Sequence, residues 1–260
     1  MTAPAAALIA QLPGLAFTFM LVLARTSGTV MLLPGLADTG IPAMIRAGIA
    51  GAVTILLTPE IAPLVPAGPA TPFEAAAAIC SELVTGLWLG FLARVLALAL
   101  PAAGQIMAGL LGLSNVLQPD PDLGPQTSAL SSLFGLAVPT LILVSGLYSL
   151  PIAAVGGSYR LIPPGTGLPP GDSVQAVARS VEEAFALALR LSAPAIVLSV
   201  SCSVAAGVLA RLAPRLQVYF LAMPVQILAG LGLLAAIAAA LLAGWQGALR
   251  ASWLDLPGLS

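Results

Sequence analysis

Residues 81–112 read SELVTGLWLGFLARVLALALPAAGQIMAGLLG, and this stretch decides the fold class. Only Glu82 and Arg94 interrupt its apolar character, and the hydrophobic region around it extends over 74–114. At 1.5 Å per residue, a helix of that length would reach about 60 Å. The hydrocarbon core of a bilayer is roughly 30 Å thick. The region therefore does not suit one straight crossing. Pro101 and Gly104 fall inside it, so it reads as a kinked long helix or as two shorter helices.

The rest of the chain has the same character. Of 260 residues, 59% are hydrophobic and 7% are charged. An ordinary soluble domain carries roughly 25% charged residues. Mean hydropathy is +1.06. The nine basic residues are all Arg, ten are acidic, and there is no His. So few charges cannot keep the surface of a soluble domain free of apolar patches. A net charge of −1 gives no basic field to hold nucleic acid. The absence of His excludes Ser-His triads and His-ligated metals. Cys80 and Cys202 lie in apolar runs, without metal-site or disulfide spacing. The class is an all-α, polytopic membrane protein.

Charge-free gaps place the helices. Residues 1–24, 47–59, 95–119, 123–159, 191–210 and 216–249 carry no charge. They predict six hydrophobic helices, near 8–33, 42–63, 74–114, 128–152, 176–209 and 216–247. No Arg precedes residue 25, so the N-terminus lacks the basic region of a signal peptide and is expected to stay in the mature protein. Connections rich in Pro and Gly separate the helices, at 34–42, 59–72, 118–125 and 162–171. Asp172 precedes Gln175 by three residues, which predicts a capping box opening a helix over 173–209. Trp245 and Trp253 flank the last apolar run, where an interfacial belt places indoles. No separate soluble domain is evident, and the whole of 1–260 reads as one domain.

Four constellations stand out. Gly86 and Gly90, then Gly104, Ala108 and Gly112, put small residues on one helix face. They mark close helix packing, or only the usual glycine of membrane helices. Gln118-Pro119-Asp120-Pro121-Asp122 forbids continued helix. Its carboxylates either solvate a loop or bind a cation, and no substrate-binding set accompanies them. Arg211 and Arg215 flank a tight hairpin turn, as a topology anchor or as a contact to lipid or partner. Glu82 and Arg94 are costly in an apolar helix, and about 18 Å of helix separates them. Each needs its own partner, on this chain or on another subunit, or a place near water.

The order of segments carries a resemblance. Arg25, Leu33-Pro34, Ile41-Pro42, Arg46 and Thr58-Pro59 come first. Ser81-Glu82-Leu83 with Gly86-Leu87-Trp88-Leu89-Gly90-Phe91 follows. Then come Ala103-Gly104-Gln105, Gly112-Leu113-Ser114 and Asp120-Pro121. Arg211-Leu212-Ala213-Pro214, Tyr219-Phe220, Pro224 and Gly230 complete the series. Together they resemble the FliR family, the export-gate proteins of flagella, and its injectisome relatives of type III secretion. Some positions depart from that pattern. Arg215 replaces a usual Gln, Leu111 a usual Met, and Ser145-Gly146-Leu147 an Asn-Gly-His-type triplet. Asp122 is an added acid.

The resemblance implies helical hairpins packed in a hetero-oligomeric export-gate spiral in the bacterial inner membrane, at a flagellar basal body or injectisome base. It implies FliP-like and FliQ-like subunits and an FlhB-like protein as partners, with unfolded exported proteins in transit and lipid around the assembly. It implies no enzymatic activity, no cofactor and no metal. A plug of the pore corresponds to 110–125, with Leu110, Leu111, Gly112, Leu113, Ser114, Asp120 and Pro121. Gly86, Gly90, Gly104, Ala108 and Gly112 become candidates for packing and hinge motion. Glu82, Arg94, Arg211 and Arg215 become candidates for contacts between subunits. The rival readings are a stand-alone solute transporter or channel, which needs a polar site at mid-membrane, and an intramembrane enzyme. The latter lacks the groups that activate a nucleophile.

Overall fold

A computed structural model describes residues 3–37, 40–65, 71–113, 128–213 and 218–259. Their regular structure is helical, as Ala- and Leu-rich sequence favours. The helices are α1 (Ala3–Leu32), α2 (Ala43–Ile61), α3 (Pro72–Ala97) and α4 (Ala99–Leu110). They continue with α5 (Ala129–Val144), α6 (Ser149–Leu161), α7 (Pro170–Leu212) and α8 (Val218–Leu254). A 3-10 turn, Ala62–Leu64, extends α2. By length and composition, five helical runs can cross a membrane, or six if α5 and α6 count as one interrupted span.

The long third region is two helices. The break falls at Leu98, three residues before Pro101. Pro101 thus sits in the first turn of α4, where its missing N–H is one of the donors a helix start leaves unpaired. The fourth region is also broken, by the turn at 145–148 between α5 and α6, which the sequence did not mark. The expected capping box does not form. Helix α7 starts at Pro170, and Asp172 lies inside its first turn. Proline at a first helical position has its φ already set for the helix.

The chain divides into two compact units. The first comprises 1–95, 142–180 and 251–260. Helices α1 and α3 cross in it with almost no side chain between their backbones. A Cβ on Gly86 would strike the Arg25 carbonyl oxygen. One on Gly28 would lie 2.8 Å from Leu83 O, and one on Gly90 2.7 Å from Thr29 O. The Thr29 hydroxyl lies 3.0 Å from Gly86 O and donates across the crossing. Val22, Ile61, Val155 and Tyr159 form an apolar core drawn from α1, α2 and α6. Trp253 is fully buried and its indole N–H donates to Ala93 O at 3.3 Å. Trp245, in the other unit, is also fully buried. Both indoles are therefore covered by the protein.

The second unit comprises 96–141 and 181–250. Here α4 packs on α5. A Cβ on Gly104 would come within 2.7 Å of the Phe134 ring and 3.1 Å of Ser131 Cα. The Ser131 hydroxyl donates to Pro101 O at 2.9 Å. Ser128 caps α5, its Oγ accepting from Ser131 N–H at 3.2 Å. Gln105 supports that cap by accepting from Ser128 N–H at 2.9 Å. Ser192 of α7 is buried and lies 3.4 Å from Ala103 O.

Candidate functional site

In the second unit, attention falls on the end of α4. Its last turn closes with two backbone bonds, Leu111 N–H to Met107 O at 2.9 Å and Leu113 N–H to Ala108 O at 2.9 Å. Between them Gly112 takes φ +73°. The first bond is an ordinary helical one. The second is the long-reach bond of a Schellman stop, in which a left-handed residue lets the amide after it fold back on a carbonyl that the helix end leaves open. Leu111 is fully buried, as are Ala108 and Met107. Of the residues expected to form a closing element, Leu110, Leu111, Gly112 and Leu113 lie at this helix end. Ser114, Asp120 and Pro121 lie outside the described residues. Gly104 is packed against α5. Any hinge motion there would have to part the two helices, whereas the left-handed backbone turn lies at Gly112.

Gly112→Val is expected to loosen this stop. A left-handed backbone costs an L-residue roughly 1–2 kcal/mol, and a β-branched side chain is the worst fit. Hydrogen exchange at the Leu113 amide should quicken. Gly112→Asn should lose less, because Asn tolerates this backbone region. If exchange at Leu113 in Gly112→Val matched that of the parent protein, Gly112 would not govern the turn out of α4.

In the first unit, Glu82 has its partner on its own chain. Arg25 Nε donates to Glu82 Oε2 at 2.7 Å, and Nη2 donates to Oε1 at 3.0 Å. Nη1 reaches the Ser158 hydroxyl at 3.0 Å, and Nη2 also reaches Ile162 O at 3.0 Å. Gly165 N–H donates to Glu82 Oε1 at 2.8 Å. The guanidinium lies 3.9 Å from the centre of the Tyr159 ring. Arg25 is 0% exposed and Glu82 1% exposed. A buried pair is tolerable only when its remaining donors and lone pairs are also met. That condition is satisfied here by α6 and the turn that follows it. The cluster holds α1, α3, α6 and the 162–165 turn together. The sequence held a signal for it: Arg25 is the first charge of the chain, lone in an apolar run, and Glu82 is likewise a lone acid in its own.

The remaining cations differ. Arg94 is half-buried and Arg211 is exposed. Neither has an ion pair among the described residues, and Arg215 lies outside them. Arg160 meets Glu60 at 3.6 Å, but both are open to solvent. Such pairs contribute little. Among the described residues, no three His, Cys, Asp or Glu side chains gather as metal ligands.

Helical architecture, apolar spans and a glycine-stopped helix in the acidic-turn region suit the segment order that resembles FliR. The family model for bacterial export proteins, family 1, matches residues 16–252. The chain belongs to this family. It is 32% identical over 215 residues to the flagellar biosynthetic protein FliR of Caulobacter vibrioides, covering 83% of this chain and 86% of the relative. It is 25% identical to the FliR of Escherichia coli, with 83% and 82% covered. It is 26% identical to the Yop proteins translocation protein T of Yersinia pestis, with 80% and 81% covered. The bacterial export chain described here is thus a FliR-type component of a flagellar or type III export apparatus, and the family is non-enzymatic. Its helices and its relatives both point to a membrane location.

Proposed function

We propose that this chain is the FliR-type core subunit of a flagellar export gate, forming part of the channel through which unfolded substrates leave. Its site is the bacterial inner membrane at the basal body. Its partners are FliP-like and FliQ-like subunits and an FlhB-like protein, and all of 1–260 serves as one gate subunit. One observation carries the reading. In an 18-residue apolar stretch of α7 only 6% of residues are buried within the chain, and in one of α8 11%, against 56% in such a stretch of 72–110. Val197, Val200, Val204, Leu212, Phe220 and Leu228 are each more than half exposed. An isolated protein does not leave that much apolar surface bare. Lipid and neighbouring subunits cover it in this reading.

The stretch 110–125 is then the closure of the channel, with Leu110–Leu113 as its fixed root. Arg94, Arg211 and Arg215 supply cations for neighbouring subunits. A stand-alone transporter needs a polar site at mid-membrane. The buried Arg25–Glu82 pair is no such site, because its own neighbours occupy both side chains.

The test is co-purification of the tagged chain from membranes in mild detergent. The expected result is one stable particle holding FliP-like and FliQ-like proteins, with flagellar rod proteins in its company. Needle proteins instead would move the assignment to an injectisome. A well-behaved particle of this chain alone would overturn the gate reading.

A further inference from the structure

We propose that Gln226 of α8 is a positioning residue that fixes where the chain leaves α4. The proposal rests on the reading of 110–125 as the closure. The Gln226 side-chain amide donates to the Leu110 carbonyl at 2.7 Å, across 116 positions of sequence. That carbonyl belongs to the last turn of α4, where a helix runs out of its own donors. The surrounding α8 sequence, 218–249, has no charge. Gln226 is half-buried, and an amide in an apolar setting favours keeping a hydrogen-bond partner, here the Leu110 carbonyl.

Two neighbours of Gln226 complete the seat. Gly230, one helical turn on, lies against the Leu111 side chain, and a Cβ there would approach Leu111 Cβ to 3.1 Å. Ile227 Cγ1 stands 3.8 Å from where a Cβ of Gly112 would be. Gln226, Ile227 and Gly230 share one face of α8, at i, i+1 and i+4. The polar bond holds the backbone at Leu110, the glycine admits Leu111, and the stop at Gly112 follows at once. Helix α8 therefore sets both the position and the direction of the exit from α4. The sequence treated α8 as a plain apolar span, yet any shift of α8 along this face moves the root of the closure with it.

The experiment compares the complete membrane complex carrying Gln226→Leu with the parent protein and with a reference lacking residues 115–123. Three quantities are read: small-ion leakage at rest, secretion of a reporter substrate, and amide exchange over 106–113. Gln226→Leu is expected to raise leakage and exchange at Leu111 and Leu113 about tenfold, the effect of losing one hydrogen bond in a local opening. Secretion should stay within about twofold, a split that general misfolding would not give. Gln226→Met, of equal length and without a donor, should behave the same and serves if the Leu variant fails to assemble. A leaky deletion reference beside tight Gln226 variants with unchanged exchange would overturn the positioning role and leave the closure reading standing. A tight deletion reference in an assembled complex would overturn the closure reading itself, and this proposal with it.

Discussion

Gly86→Ala is expected to lower the thermal midpoint sharply and to cut the yield of folded protein severalfold. The added methyl would collide with the Arg25 carbonyl oxygen, a backbone atom inside α1. A flexible side chain could turn away, but a helix backbone cannot. Accommodation requires α1 and α3 to separate. That would also stretch the Thr29 bond to Gly86 O and the close contacts of Gly28 and Gly90. Overpacking of this kind costs about 3 kcal/mol at the upper end of its usual range. A native state is stable by only about 5–15 kcal/mol, so the loss is large. Gly48→Ala in α2 is the control, because nothing lies within 4 Å of its Cβ position. It should be neutral or slightly stabilising, since Ala exceeds Gly in helix propensity by about 1 kcal/mol. The thermal midpoint and yield of the purified protein check both. Equal yields for the two variants would mean that the α1–α3 crossing is looser than the structure has it.

The crossing also shows what a sequence can and cannot reveal about such a chain. Gly86 and Gly90, four apart, mark a face made for close approach. They do not say what approaches it. Here it is α1 of the same chain, through Gly28 and Thr29. The break near Pro101 was legible because proline leaves a backbone consequence at a known place. The turn at 145–148 was not marked, because charge delimited the helices and 123–159 contains none. A turn built from Ser145, Gly146, Leu147 and Tyr148 passes unseen through that filter. The start of α7 was misplaced for a related reason. Asp172 and Gln175 have the spacing of a cap, but Pro170 already fixes a helical φ two residues earlier. Trp253 was assigned to a membrane interface from its flanking position, and the Ala93 carbonyl that holds it is 160 residues away in sequence. Long-range pairing is what periodicity and composition do not encode.

The second large effect concerns Arg25 and Glu82, where the single substitutions are expected to harm more than the double one. Glu82→Ala leaves the guanidinium with Ser158 Oγ, Ile162 O and the Tyr159 ring but without a counter-charge, fully buried. Arg25→Met leaves the carboxylate with only the Gly165 amide. Breaking a buried pair from one side costs about 3–5 kcal/mol, because an uncompensated charge remains. Removing both charges with apolar residues of similar bulk, Arg25→Met with Glu82→Leu, removes the desolvation penalty together with the attraction. Such replacements are often close to neutral. The double variant does take a partner from Ile162 O and the Gly165 amide, while Ser158 Oγ still donates to Val155 O at 2.6 Å. Its cost should therefore be about 1–2 kcal/mol, that of a few polar groups losing a partner. Thermal unfolding of the four proteins in one detergent forms the cycle, and the coupling should be at least about 2 kcal/mol. Additive losses would mean that the two side chains act independently, and the cluster would then be no staple of α1, α3 and α6. The double variant also separates stability from gating. The closure and its root at Leu110–Leu113 contain neither residue. A double variant that folds should still secrete, and its resting leakage should equal that of the parent protein.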